Sequence, residues 1–219
     1  IHFSWEWTPH PKTFFSAQFF RNDIRNLIEV QQVGTYISGA QIFSYLNIGS
    51  AFTQGAEFEL NQKINNEWSL SGGYQYLITG DKDQIAEIKA GKVYTRNSNN
   101  VSARLTMSDY VGLPNVSKHK AQLKLNYANP IGFFANARII YRSKWAVNNT
   151  NGNDVYDNGD DFAAGYYSLH IALGKEYQNG IAVQLGCDNV NNYVDAIHLP
   201  NLAGRTFFIN FKYQIQHQH

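Results

Sequence analysis

Charge, cysteine and long apolar runs are all scarce in this 219-residue sequence, and each scarcity removes a class of protein. Asp, Glu, Lys and Arg make up 16% of the residues and sum to a formal net charge of +1, so the sequence lacks the basic excess that nucleic acid requires. No nucleic-acid partner is expected. Cys187 is the single cysteine, which excludes an internal disulfide and a thiolate metal cluster and leaves a small apolar packing group. Mean hydropathy is −0.39 and no run approaches the ~20 apolar residues of a spanning helix. A β-barrel wall remains compatible with those figures, because only alternate residues of its strands meet lipid. Ile1 is preceded by no charged n-region and apolar h-region, so an export signal is expected to have been removed or to lie upstream. Neither a Gly-x-Ser-x-Gly motif nor a phosphate-cradling glycine-rich loop occurs.

What the sequence does have is aromatic residues, at 15%, and alternation. Near the end, Phe207, Ile209, Phe211, Tyr213 and Ile215 share one parity, while Phe208, Asn210, Lys212 and Gln214 share the other. Alternate strand side chains point to opposite faces, so one face is apolar and the other wet. A soluble sandwich could give the same pattern, and the remaining strands decide the matter. Similar rows recur: Phe3, Trp5, Trp7; Phe15, Ala17, Phe19; Ala56, Phe58, Leu60; Trp68, Leu70, Tyr74, Tyr76; Ala121, Leu123, Leu125, Tyr127; Phe133, Ala135, Ala137, Ile139, Tyr141; Tyr167, Leu169, Ile171, Leu173; and Ile181, Val183, Leu185, Cys187. Opposite them stand polar residues, including Glu57 and Glu59, whose carboxylates need water or cations and would not suit a dry core.

About nine strands result, each near the ~10 residues of a tilted membrane strand. Short turns near 8–12, 64–67, 129–132 and 177–180 alternate with long loops near 30–45, 79–118, 148–165 and 191–202. A short helix near 84–89 and a hairpin near 93–107 are expected in the longest of these, since a structureless connection of that length is unusual. Trp5, Trp7, Trp68, Tyr127, Phe133 and Tyr177 flank the short turns, and Tyr76, Tyr141, Trp145 and Tyr167 lie near the long loops, as two interfacial girdles would. The fold class is therefore all-β, a transmembrane antiparallel β-barrel. Bacterial single-chain barrels have even strand numbers, so an odd count with ends on opposite sides implies the C-terminal portion of a larger barrel, spanning 1–219.

Asn47-Ile48-Gly49 followed by Gly55-Ala56-Glu57, then Asp188-Asn189-Val190-Asn191-Asn192-Tyr193, then Ala203-Gly204-Arg205-Thr206-Phe207, resemble in order and spacing the C-terminal half of TonB-dependent outer-membrane receptors. Gly112-Leu113-Pro114-Asn115 before Ser117-Lys118-His119 resembles Bacteroidetes members of the smaller-ligand branch, which handle corrinoids (cobalamin), haem or siderophores. Ala203 stands where the family usually has Pro, and the sequence continues past Ile215 to His219 instead of stopping on an aromatic. The resemblance implies a cell outer-membrane location and a 22-stranded barrel whose N-terminal strands and plug domain are absent here. It also implies import of a scarce small-molecule ligand with energy from the TonB complex through that plug. Outer-membrane lipid and a surface lipoprotein are further candidate partners.

Under that reading the external loops capture ligand, with Asp81, Asp83, Arg96, Tyr110, Asp154, Tyr156 and Asp157 as candidate contacts. Asp154, Asp157, Asp160 and Asp161, spaced around Gly152 and Gly159, offer the oxygen ligands Ca²⁺ prefers but not the EF-hand spacing, and a solvated loop is the plainer reading. Glu57, Glu59, Lys124, Arg138 and Arg142 make a mixed-charge lumen. Ser168 and His170 share that face, as a barrel hydrolase would require, but no third group or oxyanion motif is identifiable, and two polar lumen residues is the plainer reading. His217 and His219 read as a frayed tail. No catalytic residue or cofactor is expected; the alternatives to a transporter are a barrel phospholipase or protease, or a passive porin.

Overall fold

The computed structural model describes residues 1–96, 99, 101–150, 152–153 and 155–213, with backbone alone at 27, 29, 31, 32 and 46–48. Its elements, in chain order, are β1 (His2–His10), β2 (Thr13–Thr35), β3 (Gln41–Lys63), β4 (Trp68–Asp81), α1 (Lys82–Lys89), β5 (Tyr94–Arg96), β6 (Ser102–Arg104) and β7 (His119–Ala128). Then follow β8 (Phe133–Arg142), β9 (Trp145–Asn148), β10 (Asp161–Ala163), β11 (Tyr166–Glu176), β12 (Ile181–Asp188) and β13 (Thr206–Tyr213). Nine of the strands form one antiparallel meander in the order β1-β2-β3-β4-β7-β8-β11-β12-β13, while β5–β6 and β9–β10 are small separate ribbons. Each neighbour is the next long strand in sequence, so every pairing is closed by a single turn or loop. No described helix is long and apolar enough to cross a membrane, which leaves crossing by strands open.

Register carries the alternation from strand to strand. Trp5, Ala17, Phe58, Tyr74, Ala121, Tyr141 and Tyr167 are successive cross-strand partners, as are Trp68, Tyr127, Ala135, Leu173, Leu185 and Ile209. Both rows lie on one face. The opposite face carries Glu6, Ser16, Glu59, Gly73, Gln122, Ile140 and Ser168 as one row and Ser71, Lys124, Arg138 and His170 as another. Leu173, Leu185 and Ile209 are 61%, 59% and 53% exposed on the apolar face. A continuous apolar surface spread over nine strands is far larger than water-soluble monomers leave uncovered, and lipid is its natural solvent.

Two of the phenylalanines that break the polar parity, Phe134 and Phe208, do so for a steric reason. Phe134 and Phe208 point to the inner face, where each ring lies across a glycine on the paired strand, Gly174 and Gly186, so a Cβ at either glycine would run into the ring. At the short-turn end, Gly132 adopts φ 86°, its N–H donates to the Asn129 carbonyl at 3.1 Å, and a Cβ there would collide with the Glu176 carbonyl.

The expected long loop at 30–45 is corrected by the structure. β2 and β3 are 23 residues each and stay paired from Thr13↔Gln62 to Thr35↔Gln41, so only a tight turn joins them. Alternation fades there because a register shift between Gln32 and Gly34 breaks the parity and polar residues interrupt the exposed Ile28, Val30, Val33, Phe43 and Tyr45. β1 and β4 pair with this hairpin only as far as His2↔Phe20 and Ala51↔Asp81. The helix and hairpin expected near 84–89 and 93–107 are present as α1 and β5–β6.

Candidate functional site

The polar face curves around a space of about 750 Å³ lined by, among others, Glu57, Glu59, Gln75, Lys120, Gln122, Lys124, Arg138 and Arg142. Strand order sorts its charges: the carboxylates sit on β3, the cations on β7 and β8, and neutral β4 lies between. Gln75 on β4 donates to Glu57 at 2.6 Å. Among the described residues no salt bridge joins Glu57 or Glu59 to the opposing cations, so both signs remain available to whatever fills the space. Arg142 is held at the rim, where its Nε donates to Ser117 Oγ at 2.5 Å, a terminal nitrogen donates to the Asn115 carbonyl at 3.2 Å, and its guanidinium lies 3.6 Å from the Trp145 ring centroid.

Above β3 and β4 the loops form a small platform with its own core of Ile88, Leu105 and Val155, flanked by Val93 and Tyr110. Asp81 caps α1 by accepting from the Asp83 and Gln84 backbone N–H groups, and its own N–H donates to the Tyr110 hydroxyl at 3.0 Å. Asp157, buried, accepts from the Arg96 N–H at 2.8 Å and the Gly159 N–H at 3.1 Å, joining the β5–β6 region to the 148–161 loop. Asp160 accepts from the Thr150 and Asp157 N–H groups. Tyr156 and Tyr110 line a crevice of about 10 Å³, the room of a single water.

Thus six of the seven candidate ligand contacts are gathered on one platform, and Asp154 lies outside the described residues. Asp81, Tyr110 and Asp157 hold the platform together, whereas the Asp83 and Arg96 side chains are exposed. Of the acidic set considered for Ca²⁺, Asp157 and Asp160 spend their oxygens on N–H donors and Asp161 on Asn148 and His198. Among the described residues no three His, Cys, Asp or Glu side chains converge as a metal site.

The structure supplies the third group that the sequence did not reveal beside Ser168 and His170. His170 Nε2 lies 3.0 Å from Ser168 Oγ and Nδ1 lies 2.8 Å from Asp188 Oδ1. Counting back through the 177–180 turn would have found it, since Ile171 pairs with Cys187 and the preceding residue faces Asp188. Ser168 is buried, 3% exposed, and the line of three ties β11 to β12.

The loop at 189–205 is knotted by the two asparagine- and glycine-bearing motifs. Asn189, buried and at φ 51°, donates to the Tyr193 and Ala203 carbonyls at 2.7 and 2.9 Å and accepts from the Tyr193 N–H at 3.0 Å. Asn192 Oδ1 accepts from the Arg205 N–H at 2.8 Å, and Asn191 bonds the β11 backbone at Leu169 and Tyr167. His198 clasps this loop to β10, with Nε2 2.8 Å from Asp161 and Nδ1 2.8 Å from Asp195. Asp161 first, then Asp195, raises the His198 pKa, and His198, through its backbone N–H and then its ring, lowers that of Asp195. The histidine contribution is complete below the ordinary imidazole value and is lost as pH rises through the raised one; the Asp195 contribution is lost as pH falls through its lowered value. Hydrogen-exchange protection of 189–205, corrected for intrinsic rates, should therefore fall on the alkaline side, and His198→Asn should remove that dependence; an unchanged profile in the variant would contradict the clasp.

A meander with one apolar and one polar face, girdled by aromatics and capped at one end by loops, is a segment of a transmembrane β-barrel wall. The family model for the TonB dependent receptor-like β-barrel matches residues 3–190, and the chain belongs to that family. A comparison with curated proteins finds no match. Similar solved structures include the ferric enterobactin receptor PfeA (a G324V mutant) from Pseudomonas aeruginosa, 16% identical with TM-score 0.63 over 97% of this chain and 30% of that one. Two others are the siderophore receptor PiuA from Acinetobacter baumannii (18%, TM-score 0.56, 87% and 23%) and the ferric-catecholate import receptor Fiu from K12 E. coli (19%, TM-score 0.54, 88% and 23%). At these identities the likeness is one of fold, and the chain spans less than a third of each relative's length.

Proposed function

We propose that this chain is the C-terminal wall of an outer-membrane receptor that imports a scarce nutrient with TonB-supplied energy and is not an enzyme. The observation that carries the reading is the two-faced wall: apolar rows for lipid outside, and inside a hydrated face with carboxylates on β3 and cations on β7 and β8. Further strands of the same barrel pair with the open edges of β1 and β13, and a plug fills the inner space and transmits the energy. The long-loop end faces outward, and the platform around α1, with Asp83 and Arg96 exposed, takes part in capture. A ferric siderophore is the favoured cargo, because the solved relatives include siderophore and ferric-catecholate receptors; haem and corrinoid are the competing cargoes. Both charge signs on the inner face suit a plug surface that must detach without leaving a buried unpaired charge.

The test uses the full-length protein. Ferric enterobactin, haemin and cyanocobalamin are titrated against it, and uptake is followed in cells with and without TonB. Binding of the ferric chelate ahead of the other two, with uptake lost without TonB, is the expected result. Uptake indifferent to TonB would overturn the transport mechanism, and preference for haemin or cyanocobalamin would overturn the cargo.

A further inference from the structure

On the outer surface of β11, β12 and β13 lies a shallow groove of about 480 Å³, walled by Ile171, Leu185, Cys187 and Phe207 and ending at Arg205. Cys187 makes the trough: it sits directly between Ile171 and Phe207 in the cross-strand row, and its small side chain leaves a gap between larger neighbours. Arg205 lies at the long-loop end of this wall, exposed, with Nε donating to the Val190 carbonyl at 2.9 Å. That bond fixes the guanidinium at the mouth of the groove. Its terminal nitrogens meet no acceptor among the described residues.

We propose that this groove binds a phosphate-bearing anionic lipid, one acyl chain lying in the trough and the phosphate paired with Arg205. The inference rests on the lipid-facing assignment of the apolar rows. Inside a bilayer an acyl chain is already out of water, so the trough contributes packing and shape only, and any membrane lipid can use it. The head group is what discriminates. A planar guanidinium pairs with phosphate through two parallel N–H···O bonds, an arrangement strengthened at the edge of a low-dielectric region, whereas a zwitterionic head group brings its own cation to the same place. Pre-fixing the guanidinium on Val190 lowers the ordering cost of that pair.

The full-length receptor, extracted and delipidated in detergent, would be incubated with dioleoyl phosphatidic acid or dioleoyl phosphatidylcholine, and retained lipid counted by native mass spectrometry. Their acyl chains are identical. Phosphatidic acid should be retained on the order of tenfold better, the scale of one charge-assisted hydrogen-bonded pair. Arg205→Gln should level the two lipids and Arg205→Lys should keep part of the preference. Leu185→Trp, which fills the trough while leaving Arg205 and the 189–205 knot untouched, should lower retention of both, so the proposal is tested even if Arg205→Gln fails to fold. Equal retention of both lipids by the unaltered protein, or a preference that survives Arg205→Gln, would overturn the site while leaving the membrane wall standing. Retention of neither lipid, with protein that stays in solution after detergent is withdrawn, would overturn the lipid-facing assignment itself.

Discussion

Replacing Leu123 by arginine should cost about 2–4 kcal/mol of barrel stability, the penalty of a cation on the lipid face near the bilayer midplane, while Gln122→Arg one residue away should be tolerated. Leu123 stands mid-strand on β7 in the outward row between Gly72 and Ile139 and is exposed on that face. Gln122 points the other way, into the space lined by Lys120, Lys124 and Arg138, where water can solvate one more guanidinium. Ile171→Arg on β11 should behave as Leu123→Arg does. Equilibrium urea unfolding of the full-length protein in lipid vesicles measures the difference. Equal losses at 122 and 123 would reject the assigned faces, and a loss at 122 alone would invert them.

The second large effect is expected at Asn189. Alanine there would take their partner from the half-buried Tyr193 carbonyl and N–H and from the Ala203 carbonyl, at a cost of about 1–3 kcal/mol. Asn189→Asp keeps size and shape yet replaces the donating amide with a carboxylate facing two carbonyl oxygens, and should be nearly as damaging. Asn189→Gly keeps the left-handed backbone and isolates the loss of the side chain. The effect should be local: protease sensitivity of the 189–205 segment should rise while pairing of β12 with β13 survives. Wild-type resistance in both Ala and Asp variants would contradict the role given to this side chain.

Much of the wall was legible in the sequence because one physical rule governs it. In a lipid-facing sheet every outward residue must be apolar, so rows such as Tyr167, Leu169, Ile171 and Leu173 declare strand, face and approximate ends at once. The nine strands follow from that rule. The β2–β3 ribbon is less legible, because a register shift between Gln32 and Gly34 and interspersed polar residues break up the row that Ile28, Val30, Phe43 and Tyr45 would otherwise show. Phe134 and Phe208 were opaque for another reason, since an inward ring makes sense only with the glycine on the neighbouring strand in view.

The loops were less legible because their residues act through cross-chain partners. Asp81 and Asp157 are polar, acidic and near glycine, features that fit ligand contact as well as caps and turns; only the bonds their carboxylates accept, from the Asp83 and Gln84 N–H groups and from the Arg96 N–H, show what they hold. Asp188 was within reach of a register count from the 177–180 turn, whereas the His198 contacts with Asp161 and Asp195 depend on how two loops fold over each other. The motif residues Asn189, Asn192 and Arg205 carried the family resemblance, and the structure gives the reason they belong together, which is that they bond one another's loop ends.

The central claim is that odd-numbered residues of β13 face lipid and even-numbered ones face the lumen. Single cysteines placed in turn at 207 to 212 of the full-length protein, in a Cys187→Ser background, can carry a fluorophore read against lipid-borne spin-label quenchers. Strong quenching at 207, 209 and 211 with weak quenching at 208, 210 and 212 is the predicted result. Uniform quenching, or an alternation of opposite phase, would contradict it.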